Sequence, residues 1–545
     1  MKRAITTFLT ILCSITMIGQ ENIDILKDGF SNPPSHVRPQ IWWHWMNGNI
    51  TKDGIRKDIE WFNRIGLGGF HVFDASFSTP QVVEERLVYM TEQWQDAFKY
   101  AIDLADSLGL DVTIPSSPGF SSTGGPWVKP EEAMKKIVWR EMMVKGGRKI
   151  KTSLPDPYTI TGKFQNYGMK KGPSVVDSGE VIGESYSDIA VIAVRLPDYY
   201  RTLSELGATV SSSGGSFTLE QLTNGDLSDT GRLPAGEEGY SWIQYSFPKP
   251  QTIRSLAVIN DIVRNERHSL PAHCEDSLQI SDDGINFTTV FGIPVGDALR
   301  QTISFSPITA KHFRLKHRNP VSAYHYTMKE RLPDPEYSEI AEFAIYPETR
   351  VNHVEEKAGF GSAHDIEINP TPCADDSICS VVIDLSDKVK DGRLIWKAPE
   401  GRWMIYRIGA SLTGKQNHPA SPEATGLEVD KLDKEAWKRH FRNYLDMNRN
   451  AVKGKLGEEG ISYMLVDSYE AAHQNWTPRL REEFIQRRGY DPLPWYPVLT
   501  GLILQSPEQS DRFLWDWRKT IGELFEENFA VLDKLVKEEY GMKGC

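Results

Sequence analysis

Over the first 135 residues, short continuous apolar runs alternate with segments whose apolar residues recur every three or four positions. Continuous runs are typical of buried parallel strands, and the wider spacing is typical of helices packed on a sheet. The predicted strands are residues 41–46, 68–73 and 110–115, and the predicted helices start at Thr51 and Thr91. This alternation predicts βα units and a parallel sheet over residues 21–135.

From residue 136 to 425 the pattern changes to short alternating strands with Gly, Ser and Pro turns. We divide this region into a β-rich connection, a larger β unit and a small β unit, at residues 136–204, 205–347 and 348–425. In the larger unit, residues 242–247, 277–287 and 311–315 resemble the discoidin-like β-sandwich of many carbohydrate-binding modules. Because fold does not fix function, this insert could bind sugar or act only as a structural buttress.

The helix–strand alternation resumes over residues 426–545. Helices are predicted over 432–448, 477–488 and 511–540, and a fourth strand over 461–467. A closed (β/α)8 barrel has eight parallel strands, and half a barrel would expose an apolar sheet edge. We therefore expect an α/β fold with the first half of a TIM-type barrel, interrupted by an all-β insert, in a fragment of a longer protein. An open sheet is the alternative.

The fourth predicted strand ends in a dense group of polar and aromatic residues. Asp467 and Glu470 come first, and His473, Asn475 and Trp476 follow. Side chains at the carboxyl ends of parallel strands line the crevice in which ligands bind. Carboxylates, amides and aromatic rings suit sugars, with a proton donor for the glycosidic oxygen and rings that stack on a pyranose. Glu470 is the candidate acid, although it could instead cap the helix that follows.

The ends of the first two strands add further candidates. His44, Trp45 and Asn47 lie at or after the end of the first strand, and Asp74 ends the second. The tryptophans around His44 alternate in direction, so they cannot all face one pocket. We predict these four residues as substrate-binding, together with the four residues that accompany Glu470.

Several of these motifs together resemble glycoside hydrolase family 106, which is known for α-L-rhamnosidases. They are residues 41–49, 68–74, 426–430, 467–470 and 475–478. The resemblance runs from about residue 36 to the end of the chain. It implies a secreted, inverting, calcium-assisted exo-hydrolase on a (β/α)8 barrel.

An inverting mechanism uses two carboxylates roughly 6.5–9.5 Å apart, one as acid and one as base. The resemblance gives the acid position to Glu470 and expects the base from a later barrel segment. Glu428, in a loop before the resumed barrel, is the in-chain substitute for the base and a further substrate-binding candidate. No segment has the spacing of a calcium loop, so no metal ligand is assigned.

The net charge and the N-terminal segment limit the classes of binding partner and the compartment of the protein. The net charge of −12 argues against nucleic acid and anionic membranes. A basic start and an apolar run over residues 4–18 predict a signal peptide at residues 1–20, with export to the periplasm or the exterior and no membrane association after cleavage. In such a compartment Cys373 and Cys379 could pair.

These observations predict an exported exo-α-L-rhamnosidase that acts on oligosaccharides or polysaccharides of plants. One rival is a carbohydrate-binding or inactive fragment that lacks the catalytic base. A second rival is a glycosidase with a different sugar specificity.

Overall fold

The computed structural model describes most of the chain. The described residues are 25–34, 37–77, 79–158, 164, 183–260, 276–293, 298–320, 324–325, 330–331, 333–362, 369–372 and 379–545. The predicted signal peptide and Cys373 lie outside these residues, and export remains a prediction. Cys379 is a buried free cysteine, which contradicts the predicted Cys373–Cys379 pair.

A five-stranded parallel sheet carries the candidate site. Its strands are β1 Gln40–Met46, β2 Gly69–Ala75, β3 Asp111–Pro115, β4 Ile461–Leu465 and β5 Lys543–Gly544. They lie side by side in that order, and each neighbouring pair is parallel. The predicted parallel sheet is therefore present, and β3 and β4 are neighbours although more than 340 residues separate them in the sequence. Closure into an eight-stranded barrel remains a prediction.

Five helices accompany this sheet. They are α1 Lys52–Arg64, α2 Glu92–Leu108, α3 Lys434–Ala451, α4 Leu480–Arg488 and α5 Pro507–Tyr540. The predicted starts of the first two are confirmed, because the Thr51 and Thr91 side chains accept hydrogen bonds from the N–H groups of Gly54 and Trp94. The start of α5 differs from the prediction: the helix begins at Pro507, four residues earlier than expected, and Ser506 caps it. None of the helices in the described ranges is long and apolar enough to span a bilayer.

The two faces of β1 have different neighbours. Trp43 and Trp45 point to the helix layer and pack edge-to-face on aromatic rings of β2, α1 and α2. Trp42 and His44 lie on the opposite face, where both rings contact Phe73 of β2. Strand geometry produces this division, because successive side chains point to opposite sides of a sheet.

The all-β region contains one sheet that combines two predicted segments. Its strands are Lys135–Lys145, Arg402–Leu412, Tyr186–Arg195 and Val382–Asp384, all antiparallel. The β-rich connection and the small β unit therefore form a common four-stranded sheet. A neighbouring three-stranded sheet contains Lys149–Ser153, Val389–Lys390 and Arg393–Lys397.

A seven-stranded antiparallel sheet lies within the predicted range 205–347. Its strands are Thr209–Ser212, Gly231–Pro234, Tyr240–Asn260, Asp276–Ser281, Thr288–Ile293, Arg300–Arg318 and Tyr337–Tyr346. It has its own apolar core, separate from that of the parallel sheet. All seven strands belong to one hydrogen-bonded network, so the division into two facing sheets of a sandwich remains a prediction.

The remaining elements are short. Two-stranded ribbons pair Gly124–Gly125 with Leu427–Glu428 and Tyr324–His325 with Glu330–Arg331. Short α-helices are Leu219–Thr223 and Val354–Lys357, and 3-10 turns are Pro130–Glu132, Ser386–Lys388, Pro422–Ala424 and Leu493–Thr500. The first ribbon ties the loop after β3 to the loop before α3, directly beside the candidate site.

Candidate active site

Glu470 lies in the loop that follows β4, at the carboxyl end of the parallel sheet. Its side chain is 45% exposed, and its Oε2 lies 2.9 Å from Nε2 of His418. The imidazole is largely buried beneath it, at 14% exposure. One carboxylate oxygen is therefore held by a fixed partner, while the carboxyl group as a whole remains accessible to a ligand.

The backbone around His418 is fixed by the loop that follows β3. The His418 amide donates to Oγ of Ser121 (2.7 Å), and the His418 carbonyl accepts from the amides of Phe120 (3.1 Å) and Ser121 (2.8 Å). Gly119 has a φ of +76°, and a Cβ there would lie 2.6 Å from the His418 carbonyl carbon. The close approach of the two loops therefore requires glycine at this position.

The second ring nitrogen of His418 also has a fixed neighbour. Nδ1 lies 3.3 Å from the carbonyl oxygen of Gln416, which can only accept a hydrogen bond. Contacts at both ring nitrogens therefore fix the imidazole, which in turn orients the Glu470 carboxyl group.

Asp467 and two histidines form a second polar group on the sheet face that is turned away from the helices. Burial lowers the pKa of His44 and of His71, and the negative charge of Asp467 only partly offsets this. Oδ1 of Asp467 accepts from the amide of Ser468 (2.8 Å), whereas Oδ2 is buried with no hydrogen-bond partner among the described residues. This group therefore contains two neutral imidazoles and a buried carboxylate oxygen, and Nε2 of His71 already contacts Oε1 of Gln40 (2.9 Å).

An open space adjoins this polar group. A cavity of about 480 Å³ is lined by Asp467, Tyr469, Ser122 and Phe525, among others, and reaches β5 at the edge of the sheet. The Tyr469 ring, 44% exposed, packs edge-on against Phe525 at 5.3 Å. The cavity walls include Phe525 and Leu532 of α5, so this cavity reaches Asp467 from the helix side and not from the face that carries His44.

Asn47 builds the rim of the site. It adopts a left-handed backbone conformation with a φ of 50° directly after β1. Its Nδ2 donates to the carbonyl of Thr79 (2.8 Å), and its Oδ1 accepts from Arg86 (3.3 Å). Arg86 also forms an ion pair with Glu423. Asn47 therefore connects loops at the strand ends, and both ends of its amide are occupied by protein groups.

Trp45 and Asp74 face the helix layer instead of the open face. Trp45 is fully buried and packs on Trp94 and Phe98. Oδ2 of Asp74 accepts from the indole Nε1 of Trp94 (3.0 Å), and burial raises the pKa of Asp74 to about 7. Neither side chain reaches the face that carries His44, so both are corrected to core positions and are left out of the site proposed below.

Glu428 is a buried ion-pair partner, which corrects its predicted place at the rim. Both carboxylate oxygens are bound: Oε2 lies 2.7 Å from Nζ of Lys431, and Oε1 accepts from Ser121 (2.9 Å). Burial opposes ionisation, but Lys431 and the hydrogen bonds keep the pKa of Glu428 below its ordinary value. The side chain is fully buried, so no water can reach it as a nucleophile would need to.

Asn475 and Trp476 attach the site loop to the all-β region. Oδ1 of Asn475 accepts from the amide of Ile137 (2.9 Å), and its Nδ2 donates to the carbonyl of Ala358 (3.1 Å). The Trp476 ring is buried and stacks on Trp517 at 6.3 Å. Both residues therefore hold the loop in place. His473, which lies between Glu470 and Asn475 in the sequence, is half-buried.

The structure thus brings three predicted residues to the open side of the sheet: His44, Asp467 and Glu470. Sequence reasoning missed His418, whose loop position gives no periodic signal, and His71. The latter had a usable signal, because it is a polar residue two positions before Phe73 in an apolar strand. No group of three or more His, Cys, Asp or Glu in the described ranges could hold a metal ion. The expected calcium ion remains a prediction without an assigned ligand.

Comparison with known protein families shows to which family the chain belongs. The sequence model of the glycoside hydrolase 106 family, described as alpha-L-rhamnosidase, matches residues 31–543. The chain belongs to this family. A solved structure of the rhamnosidase from Novosphingobium sp. PP1Y is 38% identical, with a TM-score of 0.79, and the match covers 95% of this chain and 46% of that one.

A second relative is named for a different sugar. The "Putative beta-glucuronidase" of Formosa agariphila is 27% identical over 535 residues, which cover 98% of this chain and 31% of that protein. The family 106 chain described here therefore spans less than half the length of both relatives.

Proposed function

We propose that the protein is an exported, inverting exo-α-L-rhamnosidase in which Glu470 is the general acid. The observation that carries this proposal is the 2.9 Å contact between Oε2 of Glu470 and Nε2 of His418, at an accessible strand end. A general acid must reach the glycosidic oxygen while it retains a proton in the absence of substrate. Membership of an α-L-rhamnosidase family supports the substrate class.

In this mechanism the proton passes from Glu470 to the glycosidic oxygen as the bond to the departing alcohol breaks. His418 keeps the carboxyl group oriented and stabilises it while it loses the proton. The neutral ring of His44, on the open face of the sheet, would hydrogen-bond sugar hydroxyls. We do not assign the base to Glu428, because Lys431 already holds that carboxylate.

The catalytic base and the rest of the barrel belong to the same proposal. An inverting enzyme needs a second carboxylate roughly 6.5–9.5 Å from the acid. Since this chain matches only 46% of the Novosphingobium rhamnosidase, we propose that further βα units of a longer protein complete the (β/α)8 barrel and supply the base. Reading the coding sequence in frame after Cys545 tests this directly.

The decisive experiment compares wild-type protein with Glu470→Gln in the longest chain that the gene encodes. We expect kcat/KM for an α-L-rhamnoside with a poor leaving group to fall by about 10²- to 10⁴-fold. A dinitrophenyl rhamnoside, whose leaving group needs no proton, should be affected much less. Glu482→Gln, at an exposed position of α4, is the matched control and should leave both rates unchanged. Near-normal hydrolysis of the poor substrate by Glu470→Gln would refute the assignment.

The name of the Formosa relative favours testing one alternative specificity. Nitrophenyl glycosides of α-L-rhamnose and β-D-glucuronic acid should be compared on the same preparation. Preference for the rhamnoside supports the proposal, whereas preference for the glucuronide would replace the substrate while leaving the role of Glu470 intact. Binding of either sugar without hydrolysis would favour a carbohydrate-binding protein.

A further inference from the structure

A second cavity lies between the four-stranded and the seven-stranded sheets of the all-β region. Its volume is about 560 Å³, and none of the strand-end site residues lines it. Pockets that bind small molecules usually measure about 300–1,000 Å³. The cavity is therefore large enough for a ligand, and it is formed entirely by residues of this chain.

Arg350 lines this cavity and is paired with Glu348 behind it. Arg350, only 3% exposed, stacks over the Tyr346 ring at 3.7 Å, and its Nη2 lies 3.3 Å from Oε1 of Glu348. Its Nε has no hydrogen-bond partner among the described residues, and neither has Oε2 of Glu348. Burying polar atoms without partners is costly, so a native structure that keeps them requires an explanation.

Glu141 adds an unused carboxylate to the same cavity. It extends from the strand Lys135–Lys145, opposite Tyr406 of the neighbouring strand, and it lines the cavity. Besides burial, its negative charge contributes to raising the pKa of both Glu342 and Glu348. The charge of Arg350 offsets this repulsion in part, since Glu141 also favours the charged form of Arg350. A ligand that donates hydrogen bonds to Glu141 would stabilise this group of charges further.

The composition of the walls limits the ligand class. Arginines at positions 201 and 350 disfavour a cation, and Glu141, Glu220 and Glu342 disfavour an anion. Apolar side chains, including Met143 and Met404, form another part of the wall. A neutral sugar ring with several hydroxyl groups fits both the charged and the apolar parts of the wall, because its hydroxyls can donate to carboxylates and accept from guanidinium groups.

We infer that this cavity is a second carbohydrate site, which binds a neutral saccharide unit independently of the strand-end site. It does not rest on catalysis by Glu470, so the two proposals can fail separately. Such a site would hold a neighbouring part of a glycan chain while another part is cleaved.

Calorimetric titration of the 545-residue chain with methyl α-L-rhamnopyranoside and methyl β-D-galactopyranoside tests the inference. We expect at least one of these neutral glycosides to bind, and sodium glucuronate to bind more weakly. Glu141→Gln should weaken the binding by about tenfold or more, since hydrogen bonds to charged groups are lost. Glu470→Gln should leave this binding unchanged, while it removes hydrolysis if the proposed function is right.

Two further variants separate ligand contact from loss of folding. Glu220→Trp, at an exposed position of the rim, should block the cavity without disturbing the core. Glu238→Gln, an exposed carboxylate outside the cavity, is the matched control. The inference is overturned if no neutral glycoside binds at tens of millimolar, or if binding survives Glu220→Trp and Glu141→Gln but disappears in Glu470→Gln.

Discussion

Nε2 of His418 lies 2.9 Å from Oε2 of Glu470, and the two residues are 52 positions apart in the sequence. His418 comes from the loop before α3 and Glu470 from the loop after β4. Nδ1 lies 3.3 Å from the carbonyl oxygen of Gln416, so both ring nitrogens have fixed neighbours. His418 is therefore a positioning residue for the proposed general acid.

Replacing His418 should slow chiefly those substrates that need a proton. We expect His418→Ala to lower kcat for α-L-rhamnosides with poor leaving groups by about 10- to 100-fold, a part of the range for general acid catalysis. His418→Gln, whose amide can still hydrogen-bond Glu470, should retain more activity. The measurement is kcat and KM over aryl rhamnosides of graded leaving-group acidity, together with the pH profile. An equal loss for every leaving group would show that His418 acts on folding or binding instead.

Variants of the buried Glu428–Lys431 pair test whether Glu428 has a structural or a catalytic role. Glu428→Gln should destabilise the protein by about 3–5 kcal/mol, because the Lys431 ammonium would remain buried without its counter-charge. Removing both charges, with Lys431→Met added, should restore part of the stability. Urea unfolding of the two variants measures this. A Glu428→Gln protein that folds normally but has lost hydrolysis would instead identify Glu428 as the base.

Asp74 should make stability depend on pH. Its pKa is about 7 in the folded protein, against about 3.9 in unfolded chains, so the folded state holds the proton more tightly. The stabilisation of the protonated form is complete below about pH 4 and is lost as the pH rises towards 7. This change amounts to about 2–4 kcal/mol. Asp74→Asn, which resembles the protonated acid, should raise the melting temperature more at pH 8 than at pH 5. An equal effect at both pH values would contradict this account.

The sequence predicted local structure better than it predicted which face a side chain occupies. Thr51 and Thr91 identify helix starts because capping depends on a few adjacent residues. His44 and Trp45 were both placed in the site, yet neighbours on a strand point to opposite faces. The sequence shows that side chains alternate in direction along β1. Only the packing of Trp45 on α2 shows which of the two faces is open. Trp42, 54% exposed, lies on the open face instead.

Sequence patterns did not predict the contacts between segments that are distant in the chain. The pairing of Glu428 with Lys431 is local, but its burial depends on the loop that contains Ser121, about 300 residues earlier. The contact of His418 with Glu470 likewise requires that the all-β insert returns the chain to the sheet. No periodicity reports such a return, so these carboxylates could be recognised as candidates but not distinguished by role.

Asn475 couples the site loop to the all-β insert, which gives a last prediction. Asn475 lies five residues after Glu470, and its side-chain amide hydrogen-bonds the backbone of Ile137 and of Ala358. Asn475→Ala removes both hydrogen bonds and leaves two buried backbone groups unpaired, at a cost of about 2–4 kcal/mol. Asn475→Asp keeps the acceptor for Ile137 but places an oxygen against the carbonyl of Ala358. We expect both variants to melt earlier and to show faster hydrogen exchange over residues 466–476. If the loop stays protected in both, the insert does not position Glu470 through this residue.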